Sequence, residues 1–304
     1  MIDALKHWLS DPPPASIFEV TEAGVSLARL APKSRLPERV VFAPLPEGVV
    51  EPSPLRENIH DSASFETALQ QLVEQAGPNR KKEAAVLLPD NCARVALLEF
   101  ENLPGDSAER LSLIRWRLKK SVPFDIDTAA IDCHVQKSNP AAKQFSVLVA
   151  VSPIEVVTQY ESAVRNRGFV PGYVGISVAA ALNLVVEQGV TMLVKRSGRI
   201  LSVVVVDQGQ VRLVRTLDEG TVGQAVSEDK LREIAADLYP TFVYVADNFG
   251  APVSKLVLAG FEPSFQVAAD VFRRELGYES ELLKGPQGIV DGATAGIWGY
   301  LGAS

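Results

Sequence analysis

Between Val190 and Leu217 the chain reads VTMLVKRSGRILSVVVVDQGQVRLVRTL, three short apolar runs parted by two polar turns. Met192–Lys195 is an apolar start, and Ile200–Val206 is β-branched and apolar on both faces apart from Ser202. Val211–Thr216 alternates apolar residues with Arg212 and Arg215. Side chains of this kind suit a pleated, half-buried surface, and Asp207-Gln208-Gly209 offers the positive-φ position of a tight hairpin. The pattern predicts a three-strand meander with Ile200–Val206 as an inner strand covered on both sides. A fainter copy lies at Ser16–Val20, Val25–Leu30 and Arg39–Ala43. Helical sequence follows each copy, which implies a duplicated α/β domain with a cleft between its halves.

The remaining pattern fills in around these meanders. Met1–Ser10 reads as a short amphipathic helix ended by Pro12-Pro13-Pro14; a tail frayed or resting on its own domain is favoured over a docking or membrane-surface foot. Phe65, Leu69, Leu72 and Val73 have the spacing of one buried helix face, and Ala84–Leu88 is a compact apolar strand. A self-contained unit follows. It comprises a strand at Val95–Phe100, a helix from about Ser107 to Val122, strands at Ala130–Gln136 and Gln144–Ser152, and a helix opened by Pro153. Beyond the central meander, Asp229–Phe249 is helical with a kink or break expected at Pro240. Lys255–Ala259 reads as a strand, Ser264–Leu276 as a helix stopped by Gly277, the region near Glu279–Leu283 as a strand, and Gly292–Gly299 as a closing helix. The expected division is a tail at 1–14, a first lobe at 15–93 and 171–189, a small α+β insert at 94–170, and a second lobe at 190–304.

Composition narrows the function classes. The chain has 304 residues, 47% of them apolar and 22% charged, as in ordinary soluble domains. A net charge of −7 argues against nucleic acid as the main partner, because phosphate neutralisation needs a basic surface. No run approaches the roughly 18 to 20 apolar residues of a membrane span. The first residues lack the basic start and cleavage site of a signal peptide, so a cytoplasmic protein with reduced Cys92 and Cys133 is expected. His7, His60 and His134 show no metal-ligand spacing, and Cys133 and His134 point to opposite faces of one strand. Walker, Gly-x-Gly-x-x-Gly and Gly-x-Ser-x-Gly motifs are absent. Neither a metal site nor a catalytic residue is expected. The basic helix Arg110–Lys120 reads as a solvated face or a face for an acidic partner.

Two stretches carry a resemblance. Leu97–Asp127, LLEFENLPGDSAERLSLIRWRLKKSVPFDID, and the segment VAVSPIEVVTQYESAVRNRGFVPGYVGISVAAALNLV resemble the PilM-type pilus-assembly proteins. These are relatives of the cell-division protein FtsA within the actin-like ATPase superfamily, and of the cytoplasmic part of secretion-system L proteins. The resemblance implies an actin-like, ribonuclease H-like duplicated fold of two lobes, with a small α+β subdomain inserted in the first. It also implies an ATP cleft between the lobes and a partner peptide gripped near the insert.

The superfamily's nucleotide motifs can be checked atom by atom. In the first hairpin an Asp-x-Gly loop should orient Mg²⁺ or water, but Glu19 stands at the Asp position and Thr21 at the glycine. Glu22 would add a second acid facing the phosphates. In the central meander the corresponding positions are Lys195-Arg196-Ser197, and a cation there neither holds Mg²⁺ nor acts as a base, although a lysine can contact a phosphate directly, which leaves binding without hydrolysis open. The adenosine-side glycine pair falls on Ala259-Gly260, a partial match. The favoured reading makes Glu19, Lys195 and Arg196 solvated turn residues of a degenerate site, with no cofactor bound. The chain is then a cytoplasmic scaffold that binds the N-terminal cytoplasmic peptide of an inner-membrane pilus or secretion protein, reaching the membrane only through that partner. The peptide would add as a strand or fill apolar pockets, with Trp116, Pro123, Phe124 and Phe100 as candidate wall residues, Phe100 doubling as core. The alternative is a divergent ATPase that binds ATP with Mg²⁺ in the cleft and hydrolyses it slowly. Self-assembly into homo-oligomeric filaments is a third reading.

Overall fold

The structure, a computed structural model, describes residues 13–31, 36–78, 81–136, 144–220 and 226–303. The expected helix at Met1–Ser10 lies outside the described residues. The chain opens with the meander β1 (Ser16–Thr21), β2 (Gly24–Leu30) and β3 (Pro37–Pro44). Helix α1 (Ser62–Ala76) follows, started by Asp61, whose carboxylate accepts from the Ser64 N–H at 3.1 Å. It lays Phe65, Leu69 and Leu72 on the sheet, and β4 (Glu83–Leu88) then runs parallel to β1.

The insert is a separate three-stranded antiparallel sheet. It comprises β5 (Arg94–Phe100), α2 (Ser107–Leu118), β6 (Ala129–Val135) and β7 (Phe145–Pro153), with β7 in the middle. Asp106 caps α2 through bonds of 2.9 Å from the Ala108 and Glu109 N–H groups. Ile114 and Leu118 pack on Val147, Val149 and Val151. The helix ends four residues earlier than its apolar spacing suggests, because residues 119–122 form a turn. Arg115 is also less solvated than its basic neighbours imply, since its guanidinium donates to the carbonyls of Ile126 and Asp127.

The chain returns through α3 (Ile154–Asn166) to β8 (Val170–Ile176), which completes the first sheet in the order β3-β2-β1-β4-β8. A short helix, α4 (Ser177–Ala181), leads to the second meander: β9 (Thr191–Ser197), β10 (Ile200–Asp207) and β11 (Gln210–Asp218). The β10–β11 turn places Gln208 at φ 53° and Gly209 at φ 71°, as the sequence pattern requires. Helix α5 (Glu228–Phe249) passes through Pro240 as one element, which corrects the expected break. The pattern of buried residues from Leu231 to Val245 carries it across, since tertiary packing outweighs the one backbone bond that proline removes. Then come β12 (Lys255–Ala259), α6 (Phe265–Leu276), β13 (Ser280–Leu282), the small hairpin of β14 (Lys284–Gly285) and β15 (Gly288–Ile289), and α7 (Ala295–Ala303).

The second sheet, β11-β10-β9-β12-β13, repeats the strand order of the first, with the antiparallel meander followed by two parallel strands. β10 is an inner strand buried along Ile200–Val205. Each sheet covers its outer face with its crossover helices. The inner faces meet α4 and α7: Ile17, Ala85 and Leu87 pack against Ala180, Ile297 and Leu301, while Leu193, Val204 and Val257 cluster with Val178, Ala181 and Ala295. Gly299 lets the two helices touch, since a β-carbon there would run into the carbonyl of Ala180.

Candidate functional site: a polar seam between the lobes

The residues at the nucleotide-motif positions come together, and they bond to the protein itself. Glu19 is the middle member of the β1 stripe Ile17-Glu19-Thr21, whose first residue faces α7. It is fully buried, and its two carboxylate oxygens accept from the Gly296 N–H at 3.1 Å and the Ile297 N–H at 2.9 Å. The Ser177 hydroxyl donates a further bond. A carboxylate thus occupies the N-terminus of α7, where free amides and the helix dipole favour an anion. Burial pushes the Glu19 carboxyl above its ordinary range, and Lys195 with the three donors pulls it part of the way back.

Lys195 is also fully buried. Its ammonium lies 3.0 Å from the carboxylate of Asp90, a residue of the short 3-10 turn that follows β4. Asp90 accepts two more bonds, 3.0 Å from the Ser202 hydroxyl on β10 and 2.7 Å from the Val178 N–H at the start of α4. One carboxylate therefore joins the first lobe, the interlobe helix and two strands of the second lobe. A third contact ties the two hairpin turns directly. Glu22, in the β1–β2 turn, accepts from the Arg199 N–H at 2.9 Å in the β9–β10 turn and lies 3.5 Å from its guanidinium. Gly198 makes room for this, because a β-carbon there would sit 2.5 Å from Glu22 Oε2, and its φ of 63° is left-handed.

The expectation that Glu19, Lys195 and Arg196 are solvated turn residues is therefore corrected. Thr191–Ser197 is a strand buried at every position, so the turn begins later, at Gly198, and Lys195 points inward. Nor does Glu22 face an open phosphate site, for it is 3% exposed and bonded to Arg199. Thr21, at the glycine position, uses its hydroxyl inside the hairpin, donating to the Gly24 carbonyl at 3.0 Å. Gly260 is packed against the backbone of Arg196, where a β-carbon would collide with the Arg196 carbonyl, and Ala259 is buried. What remains of the cleft is a cavity of about 290 Å³ beside Thr21, Phe42, Arg196, Ser197 and Gly260. Glu262 and Asp291 add acid to its walls, and burial raises the Glu262 carboxyl.

Asp90, Ser177, Ser202 and Arg199 escape sequence reasoning because their partners lie far away in the chain, as with Asp90 and Lys195, 105 residues apart. A usable signal was present at Glu19 and Lys195. Each is a charged residue inside an otherwise apolar strand, and a buried charge needs a partner.

The candidate partner-binding residues are dispersed. Phe100 is in the insert's core, and Trp116 stands 70% exposed on α2. Pro123 and Phe124 line a cavity of about 360 Å³ with Leu55, Ala93, Arg94 and Val214, where the first lobe, the insert and β11 converge. The insert also reaches the second lobe through Gln136, whose side-chain amide donates to the Val211 carbonyl at 3.0 Å and accepts from its N–H at 2.7 Å. Among the described residues, no helix is long and apolar enough to cross a membrane, and no group of three or more His, Cys, Asp or Glu could hold a metal ion.

No protein-family model and no curated protein sequence matches the chain. Solved structures do. A chain of the PilM-PilN type IV pilus biogenesis complex superposes with a TM-score of 0.78 and 16% identity, covering 95% of this chain and 98% of that one. A Bacteroides thetaiotaomicron protein with an actin-like ATPase fold and unknown function gives 0.52 at 10% identity, covering 92% and 93%. The cytoplasmic domain of EpsL, an inner-membrane component of the Vibrio cholerae type II secretion system, gives 0.48 at 13% identity, covering 80% of each chain. With its two sheets of matching order, the small sheet inserted in the first lobe and this near full-length superposition, the chain has the actin-like ATPase fold in its PilM-like form.

Proposed function

We propose that the protein is a scaffold of a type IV pilus or related secretion assembly, with an interlobe cleft that is closed by its own side chains and performs no ATP hydrolysis. It binds the short cytoplasmic N-terminal segment of an inner-membrane protein, and is cytoplasmic and peripheral to that membrane through this partner. The observation that carries the reading is the likeness, over nearly the whole of both chains, to a chain of the PilM-PilN type IV pilus biogenesis complex. The internal bonds of Glu19 and Lys195, at two of the motif positions, and of Glu22 beside them support the loss of nucleotide chemistry. The junction supports a peptide site, setting the side chains of Leu55, Pro123 and Phe124 beside polar walls of Asn91, Arg94 and Thr216.

The test has two arms. Fluorescence anisotropy with labelled peptides copying the cytoplasmic N-terminal segments of single-span inner-membrane proteins should show saturable binding. Phe124→Asp should weaken it by about tenfold or more, as loss of a central apolar anchor does. Binding by none of these peptides overturns the scaffold reading. Calorimetric titration with ATP, with and without Mg²⁺, should give no saturable heat. Mg²⁺-dependent binding would instead establish the cleft as a nucleotide site and favour a divergent ATPase.

A further inference from the structure

Arg29 ends the inward stripe of β2. Side chains two apart on a strand share a face, and Val25 and Leu27, the preceding members of the stripe, belong to the first lobe's core. Arg29 occupies the third inward position and is 7% exposed. Among the described residues its buried Nε and Nη1 have no hydrogen-bond partner. The ring of Phe169 lies beside it, its centroid 5.4 Å from the guanidinium carbon. A buried charge with little hydrogen bonding is an expensive arrangement, and burial lowers the Arg29 pKa accordingly.

The side chain borders an open cavity of about 430 Å³. Arg29 pairs with Ser16, at the start of β1, so the cavity lies at the end of the sheet opposite the β1–β2 turn and the polar seam. Two further cations stand on its walls. Lys82 Nζ is 5.8 Å from the Phe169 centroid, and Arg167 closes the end of α3. The terminal nitrogens of Arg167 bind Gln70 at 3.0 Å and Glu66 at 2.8 Å, while its Nε is buried and unpartnered. Glu74, the carboxylate on these walls, is exposed and accepts from the Gln70 amide at 2.9 Å. Val73 and Phe169 supply an apolar floor. In a chain of net charge −7, three cations, Arg29, Lys82 and Arg167, border one hollow.

We propose that this hollow is an oxyanion-binding site, taking a carboxylate or phosphoryl group against Arg29 with the rest of a small ligand resting on Phe169 and Val73. A guanidinium presents its donors as a planar fork that suits two oxygens of either group. Lys82 adds a second positive charge from the rim. The site is independent of the peptide junction and of the cleft.

Thermal melts of the full chain test it in sodium phosphate, sodium succinate and sodium chloride at matched ionic strength. Phosphate or succinate should raise the melting temperature saturably, by about 2–4 °C at tenfold excess over the dissociation constant. The stronger of the two arms identifies the preferred group. Arg29→Met should abolish the rise, yet melt no lower than the wild type in chloride, since it removes a buried charge whose Nε and Nη1 have no hydrogen-bond partner among the described residues and keeps an apolar stem against Phe169. Equal rises in wild type and Arg29→Met would mean general salt stabilisation and overturn the proposal. So would a strongly destabilised Arg29→Met in chloride, which would make Arg29 a structural residue. Calorimetry of the wild type against phosphate gives a readout independent of any variant: saturable heat, weakened several-fold by Lys82→Met, supports the site, and no saturable heat refutes it.

Discussion

At the scale of single residues, the seam is held by charges that exist only in pairs. Lys195 and Asp90 are both inaccessible to solvent, and Asp90 keeps its place through Ser202 and Val178 as well. Removing one partner of such a pair strands the other in a low-dielectric interior, which costs about 3–5 kcal/mol, whereas replacing both can be close to neutral. Lys195→Met should therefore lower the urea midpoint steeply, and Lys195→Met with Asp90→Asn should recover most of the loss. Additive losses in the double variant would show that the two side chains stabilise the protein independently. The three tryptophans include Trp298, half-buried in α7 at the seam, which makes its fluorescence a local reporter of the transition.

At the scale of elements, α7 docks on β1 through Glu19, whose carboxyl accepts from the Gly296 and Ile297 amides. Its pKa in the folded protein is raised above the ordinary value of 4.5, chiefly by burial. Between 4.5 and that raised value the folded state holds more protons than the unfolded chain, so stability falls as pH rises through this window. Glu19→Gln keeps an acceptor for the amides of α7 but cannot ionise. Its melting temperature, measured from pH 4 to pH 8, should gain on the wild type as pH rises from 4.5. A constant difference across the range would mean that Glu19 does not titrate within it. The elements themselves were largely legible in the sequence: the valine run of β10, the Gln208-Gly209 turn, and Gly277 after α6 each express a local preference that the fold obeys. Pro240 was misleading because the rule it breaks is local, while the seven buried residues of α5 that hold the helix together are not.

At the scale of the molecule, the two lobes are tied together by backbone amides and buried carboxylates. Amides at Val178, Arg199, Gly296 and Ile297 all donate to buried or nearly buried carboxylates across the seam. Hydrogen exchange at these four amides should be slow in the purified protein and unchanged by ATP with Mg²⁺. Fast exchange that ATP slows would reveal a cleft that opens. The broken motifs at Glu19 and Lys195 were visible in the sequence, but the function of those residues was not. Burial is a property of the folded neighbourhood, and a charged residue in a glycine-bearing hairpin looks the same whether it faces water or a partner 105 residues away.

The bond from Glu22 to Arg199 has one more consequence. Where a clamp is shut by a bound nucleotide, hydrolysis works as a clock: the clamp has a lifetime, and whatever it grips is released on schedule. On the scaffold reading proposed above, a clamp shut by its own carboxylates keeps no time. A partner held beside it would depart at its intrinsic dissociation rate, and faster turnover of the assembly would have to be driven from outside, by competition or by force on the partner.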